Sequence, residues 1–250
     1  MKIVVVTLAR NEEKIIPYFI NHYAKIADKI VVFDHESTDK TVDIARQTAS
    51  DLSVELEVLT HKNNGYDEYM LSHFKENAYK LFPSYDVALV VDADEFFYHP
   101  DGTRQQLEKL NHNFVVKPQG YQMVSESFPR YTGVSLTELV KDGFRDAPFD
   151  KKCAFSSNLV LKISMGMHES AHFDGVDLVP PQSDLGFMLL HYKLLGEDHR
   201  AERIKSAFDN ITEAGLELAK NGISVQLTRD RDNLKQDFDR QYAKKARVLQ

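Results

Sequence analysis

Asp92, Asp94 and Glu95 follow directly on the apolar run 87–91, so carboxylates are delivered to the end of what reads as a fully buried parallel strand. Open α/β sheets bind their ligands at that carboxyl edge. Two aspartates one residue apart can hold a hard divalent cation. Mg²⁺ and Mn²⁺ favour oxygen, take one or two protein carboxylates, and complete their shell with water and substrate phosphate. Asp94 is the expected direct ligand. The plainer alternative is that these carboxylates cap the next turn.

The elements that would position them come in a regular alternation. The apolar run 2–8 breaks into the polar Arg10-Asn11-Glu12-Glu13, which reads as a strand and the loop leaving its carboxyl end. Pro17 stands where a first helical residue would, with a helix running on through 18–23. A second buried strand covers 30–33 and ends in Asp34. Ser37, Thr38 and Asp39 offer N-caps for a helix from Thr41 to about Thr48. A short strand at 54–59 and a helix over 66–81, stopped by Pro83, complete the run. Strand and helix in strict alternation predict an α/β fold with a mostly parallel sheet and right-handed crossovers, with Asp34 and Asp92 on one edge.

Beyond Phe97 the alternation stops. The spacing predicts turn chemistry at His99-Pro100-Asp101-Gly102, a short helix over 103–110, strands at 113–117 and 121–125, paired β structure over 153–163, and a strand at 185–192. The segment 127–150 has no clear period and reads as acceptor-side loops. A helix over 197–221 carries Ile204, Phe208, Ile211 and Leu218 at helical spacing, closed by Asn221-Gly222. A last amphipathic helix over 230–249 shows Leu234, Phe238 and Tyr242 on one face.

Composition sets bounds. A chain of 250 residues with 42% hydrophobic content can bury one large core, with or without a small appendage. A net charge of −7 and a sequence pI near 5.8 argue against a bulk electrostatic footprint for nucleic acid. Apolar runs fall short of a bilayer span and no signal-peptide pattern opens the chain, so a cytoplasmic protein is expected. Cys153 stands alone, without a disulfide or cysteine-zinc framework, and is expected to be a buried, inert thiol.

Arg10-Asn11-Glu12-Glu13, Phe33-Asp34-His35-Glu36-Ser37-Thr38-Asp39-Lys40-Thr41 and Asp92-Ala93-Asp94-Glu95-Phe96, in this order and spacing, resemble the family 2 glycosyltransferases, and within them the bacterial subgroup whose acidic motif reads Asp-x-Asp-Glu-Phe. The resemblance covers about the first hundred residues and resumes at Met167-His168 and Leu190-His191-Tyr192-Lys193. In two places the chain departs from the family pattern. His35-Glu36 stands where relatives more often carry Asp-Gly or Asn-Gly. An arginine common on the helix before the acidic motif is missing, with Lys75 and Asn77 in that neighbourhood.

The resemblance implies a GT-A fold, with a Rossmann-like, mostly parallel central sheet flanked by helices. It would place a transferase domain over 1–195, divided into a nucleotide-sugar half (1–98) and an acceptor half (99–195), before a helical extension over 196–250. It implies an inverting glycosyltransferase using Mn²⁺ or Mg²⁺ and a nucleotide-sugar donor, UDP-sugar favoured. The acceptor would be a glycan or lipid-linked molecule of lipopolysaccharide, capsule or another surface polysaccharide, reached at the inner face of the membrane. Thr7, Arg10 and Glu12 would line the nucleotide pocket, Asp34 would read a uracil-type base, and Asp92 would hold the ribose hydroxyls or a metal-bound water. His191 resembles the histidine that completes the metal shell alongside Asp92 and Asp94, with His168 as rival.

A metal clamp on the diphosphate would neutralise the charge that gathers on the leaving oxygen. Proton removal from the acceptor hydroxyl needs a further carboxylate apart from the metal. Glu169, after a predicted β segment that returns toward the active edge, is the candidate, with Asp174 and Glu95 as alternatives. Glu95 could instead fix the loop by hydrogen bonding. Lys151, Lys152 and Lys193 could reach phosphate oxygens, although scattered lysines are usually solvated surface. Two readings from other classes stay open. One is a Mg²⁺-dependent phosphatase of haloacid-dehalogenase type, which would normally carry its Asp-x-Asp near the chain start. The other is a non-catalytic protein binding sugar nucleotides or glycans on the same fold.

Overall fold

A computed structural model of the chain describes residues 1–62, 65, 68–110, 113–162, 172–174, 185–220 and 231–250. Its first half alternates as the sequence predicts: β1 (Ile3–Ala9), α1 (Ile16–Tyr23), β2 (Lys29–Asp34), α2 (Thr41–Asp51), β3 (Leu56–Thr60), α3 (Glu68–Asn77) with a 3₁₀ turn over Ala78–Leu81, and β4 (Val87–Val90). Then follow β5 (Glu95–Tyr98), α4 (Thr103–Leu107), β6 (Val115–Val116), β7 (Gln119–Ser125), α5 (Leu136–Leu139), β8 (Asp142–Arg145), β9 (Ala154–Ser156), β10 (Val160–Lys162) and β11 (His172–Asp174). The chain closes with β12 (Met188–Leu195), α6 (Glu197–Phe208), α7 (Glu213–Lys220), α8 (Arg231–Tyr242) and β13 (Ala246–Arg247).

One sheet has the order β3-β2-β1-β4-β9-β6, its first four strands parallel, β9 antiparallel to β4 and β6 antiparallel to β9. Alternation along β1 sorts the two faces. Ile3 and Val5 join a core with Ile16, Phe19 and Ile20 of α1 and Ala45 and Ala49 of α2, while Val4 and Val6 meet Phe74 of α3 and Tyr79. Buried β-branched strands covered on both faces are what a parallel sheet requires. A second sheet has the order β13-β8-β7-β12-β5.

All eight residues of α1 are buried, and its C-terminal end holds the strand that leaves the acidic motif. Tyr23 Oη donates to Glu95 O at 2.8 Å and accepts from Phe97 N at 2.9 Å. Phe96 is fully buried, its ring 4.9 Å from those of His22 and Tyr192. The Asp-x-Asp-Glu-Phe motif is thus half chemistry and half anchor.

His22 Nε2 lies 2.8 Å from Phe97 O, and burial pushes its imidazole down to about 4. A group depressed from its ordinary 6.5 contributes stability fully above pH 6.5 and loses it as pH falls through 4. His22→Gln keeps an amide donor for Phe97 O and cannot charge. On acidification to pH 4 the wild type is expected to lose up to about 3 kcal/mol more than this variant, read from urea unfolding at each pH. Parallel curves would remove His22 as the acid-sensitive group.

Several boundaries differ from expectation. The helix expected over 197–221 is broken into α6 and α7, because Asn210 Nδ2 bonds Ser206 O and the Thr212 hydroxyl accepts from Gly215 N, so one helix is stopped and the next started within three residues. Phe208, expected on the apolar face, is exposed at the end of α6. The Asn221-Gly222 cap lies outside the described residues, as do the start of the 66–81 helix and the start of the 230–249 helix. The last helix ends at Tyr242, and the chain returns as β13 to pair with β8 and bury Leu249 in the main core. The last residues of the chain are therefore tied back to β8 and to the main core. β9 and β10 do not pair with each other: β9 lies between β4 and β6, and β10 pairs with β11. Cys153 is buried and unpaired, as expected, and burial pushes its thiol upward.

Candidate active site

β1, β2 and β4 end on one edge, and the loops that leave them are tied together. Asn11 adopts φ +53° and Glu36 φ +54°. Asn11 Oδ1 accepts from Thr38 N at 2.8 Å, Glu12 N donates to Thr41 Oγ1 at 2.7 Å, and Asp39 Oδ1 accepts from Thr41 N at 2.9 Å. Left-handed backbone is tolerable for Asn and costly for Glu. Glu36 occupies the place where the resembling family more often has glycine, and the conformation explains that preference.

β4 stops at Val90, and Asp92 and Asp94 stand in the turn before β5, closed by Glu95 N to Asp92 O at 2.9 Å. Glu95 is fully buried. Its Oε2 accepts from Asp92 N at 3.0 Å and its Oε1 from Lys151 Nζ, which makes it the brace of the loop. Asp92 is clamped by Lys75 Nζ at 2.7 Å and Lys151 Nζ at 3.4 Å. Burial would raise its carboxyl, but the two ammonium groups hold it below the usual range. Lys75 thus brings a cation from α3 to the acidic turn, on the helix where the family's arginine is missing. Lys151 is a buried structural cation, not solvated surface.

Asp94 is buried and points the other way. Strand β12 runs antiparallel to β5, placing His191 opposite Glu95, and Tyr192 N donates to Asp94 O at 2.8 Å. His191 Nε2 then lies 3.2 Å from Asp94 Oδ2, its ring 4.6 Å from that of Phe149 and its Nδ1 buried with no hydrogen-bond partner. Arg203 of α6 closes the group: Nη1 donates to Asp94 Oδ2 and Nη2 to Glu12 Oε1 at 2.7 Å. Burial favours a neutral Asp94, yet Arg203 and His191 hold it well below the ordinary range. Glu12 shows the opposite outcome: burial, with Arg203 opposing and Asp94 reinforcing it, pushes it up to about 7.

The other sequence candidates fall as follows. Thr7 is fully buried in β1, its hydroxyl 3.4 Å from Leu8 O. Arg10 donates to His35 O at 2.7 Å and to Asn210 Oδ1 at 2.6 Å. Asp34 lies with its carboxylate oxygens 3.2 and 3.4 Å from Ser37 N, capping its own turn. Arg10, Asn11 and Thr38 face Lys205, Ser206 and Asn210 across an open groove of about 430 Å³. Lys193 is half-buried, with no ion pair among the described residues, and burial lowers its ammonium. His168 and Glu169 lie outside the described residues, and of Asp174 only the backbone is described, in β11. Arg203 was not anticipated; its only sequence signal is that its helix follows the strand bearing His191.

The three expected metal ligands do not form one cluster: among the described residues no group of three or more His, Cys, Asp or Glu side chains is arranged to hold a metal. Asp92 is taken up by lysines, which leaves Asp94 and His191 as a two-residue set. That set fits an Mg²⁺ or Mn²⁺ ion that draws most of its shell from water and phosphate, because His191 Nε2 and Asp94 Oδ2 already face one another at 3.2 Å.

Residues 4–150 match the family model described as Glycosyl transferase family 2. The chain belongs to that family, and with it to the glycosyltransferases. The parallel edge with its acidic turn is the GT-A arrangement, and the match sets aside the phosphatase reading. No curated protein matches the chain. Among solved structures it is similar to glucosyl-3-phosphoglycerate synthase from Mycobacterium tuberculosis in complex with Mn²⁺, UDP-glucose and phosphoglyceric acid, at 23% identity and TM-score 0.27, over 38% of this chain and 34% of that one. Another structure of that synthase, with Mn²⁺, UDP and phosphoglyceric acid, overlaps at 17% identity and TM-score 0.33, over 48% and 43%. A putative glucose-1-phosphate thymidylyltransferase from Bacillus anthracis overlaps at 13% identity and TM-score 0.31, over 50% and 56%. The chain spans about a third to just over half the length of these proteins. Among the described residues no helix is long and apolar enough to cross a membrane.

Proposed function

We propose that this chain is a divalent-metal-dependent, inverting glycosyltransferase that moves a sugar from a nucleotide-sugar donor, UDP-sugar favoured, to a glycan or lipid-linked acceptor of a surface polysaccharide. The observation that carries the reading is the meeting of Asp94 and His191 at the carboxyl edge of a family 2 sheet, with the cations Arg203 and Lys193 beside them. A site of this charge suits a diphosphate rather than a neutral ligand.

Asp94 and His191 would hold Mn²⁺ or Mg²⁺, which when bound supplies Lewis-acid neutralisation of the departing diphosphate. The rest falls to the chain's own groups. Arg10, Asn11 and Thr38 line the groove that suits the nucleoside, with Asp34 at the end of β2 as the base-reading candidate. Asp92, held rigid by Lys75 and Lys151, presents a carboxylate oxygen for ribose hydroxyls. Glu169 remains the proposed base, taking the acceptor proton as its oxygen attacks the anomeric carbon from the face opposite the diphosphate. Glu95 is committed to bracing the loop, and Asp174 is the fallback. Work on a lipid-linked acceptor would place the enzyme at the cytoplasmic face of the membrane.

Thermal unfolding tests the reading. UDP at a hundredfold its dissociation constant with Mn²⁺ is expected to stabilise the fold by about 2.7 kcal/mol, and the shift should vanish in EDTA. Slow metal-dependent hydrolysis of one member of a nucleotide-sugar panel would identify the donor. Equal shifts with Mn²⁺ and EDTA, with no donor hydrolysed, would leave only a binding protein.

A further inference from the structure

Helix α6 meets the acidic edge chiefly through charge. Its apolar side chain Ile204 packs with Leu234 of α8, with Ala207 and Ile211 beside them, in a small cluster separate from the main core. Toward the edge it presents Glu202 to Lys14, Arg203 to Glu12 and Asp94, and Ser206 to Asn11 at 3.4 Å, while Asn210 just past its end meets Arg10 at 2.6 Å. A polar interface of this kind is one that a charged ligand can compete for.

Arg203 stands where a bound cation would need to be. Asp94 Oδ2 already faces both the guanidinium and His191 Nε2. A divalent ion arriving at the same oxygen would meet a like charge at contact distance, and the two repel strongly where water is partly excluded. A nucleoside diphosphate removes the conflict, because its oxygens match the planar fork of arginine bidentately.

We propose that Arg203 makes metal binding conditional on the nucleotide. In the free chain its guanidinium occupies Asp94 and locks α6 over the donor groove; a nucleoside diphosphate draws it onto phosphate oxygens and frees Asp94 and His191 for the cation. The proposal rests on the function proposed above and adds to it an order: the metal enters with or after the diphosphate.

Mn²⁺ binding to the full chain can be followed by the loss of the free-ion electron paramagnetic resonance signal, with and without UDP. In the wild type UDP is expected to tighten Mn²⁺ binding by a factor in the range of about 5–150. In Arg203→Gln the nucleotide-free affinity should rise by about the same factor and the coupling should shrink to match. A Ser206→Ala/Asn210→Ala double variant removes two further ties at α6, to Asn11 and Arg10, while keeping every charge, the Lys14–Glu202 pair included. It should move the nucleotide-free affinity the same way by a smaller factor, and it decides the matter if circular dichroism shows Arg203→Gln unfolded. Unchanged nucleotide-free affinity in the folded variants, with the wild type still binding UDP and Mn²⁺ together, would overturn the lock and leave the transferase reading standing. A wild type that binds neither in any combination would overturn both.

Discussion

Asp94→Asn is expected to abolish sugar transfer and metal-dependent nucleotide binding together, while Glu169→Gln should abolish transfer and leave both ligands bound. Asn keeps the size of Asp94 and can still accept a hydrogen bond from Arg203 and His191, its two observed partners. It lacks the charge that holds a hard cation against water, so calorimetry with UDP and Mn²⁺ should lose its metal-dependent component. Gln at position 169 cannot take a proton, and loss of a general base costs on the order of 10²–10⁴-fold in rate. Nucleotide release in the presence of acceptor reads that loss, and the calorimetry reads what remains. An Asp94→Asn enzyme that still transfers would sink the metal clamp. An active Glu169→Gln enzyme would move the base to Asp174, since Glu95 is already paired with Lys151 and the Asp92 amide.

The first half of the fold is readable because its signals are local. The apolar runs ending at Leu8, Phe33 and Val91 and the Pro17 helix start each speak within a few residues, and the elements form close to those signals; α2 opens at Thr41 behind Lys40 rather than on a Ser37, Thr38 or Asp39 N-cap, although Asp39 Oδ1 accepts from Thr41 N. The acidic turn was readable for the same reason. The counterions were not. Lys75 and Lys151 lie far from Asp92 in sequence, and Arg203 lies on a helix whose polar face reads as solvated surface, since nothing local distinguishes a buried lysine or arginine from an exposed one. Asp34 and Asp92 show the same limit from the other side. Their positions at strand ends were foreseen, but what each carboxylate touches depends on partners that only the fold brings near: Ser37 in one case, two lysines in the other. The break between α6 and α7 is not legible in the apolar pattern either, because Ile211 continues the period across Asn210 and Thr212, whose side chains cap in opposite directions.

Lys151→Met should be the most destabilising single change at the site. Methionine follows the path of the lysine stem, but it removes the cation from Glu95, which is fully buried, one of the two from Asp92, and the ammonium that lies 5.3 Å from the centre of the Phe149 ring. Removing one partner of a buried pair costs roughly 3–5 kcal/mol, because the remaining charge is left uncompensated. In a chain of this size that corresponds to a melting temperature lower by on the order of 10 °C. If an orphaned charge is the cause, Lys151→Met/Glu95→Gln should regain much of the loss at pH 8, since Gln is neutral and its amide oxygen still accepts from Asp92 N. If the cause is lost packing, the double variant should be no better than the single one. Urea unfolding of the three chains at pH 8 separates the two, and a loss below about 1 kcal/mol in Lys151→Met, the level of an exposed pair, would show that the acidic turn is held by Phe96 and Tyr23 without its buried cation.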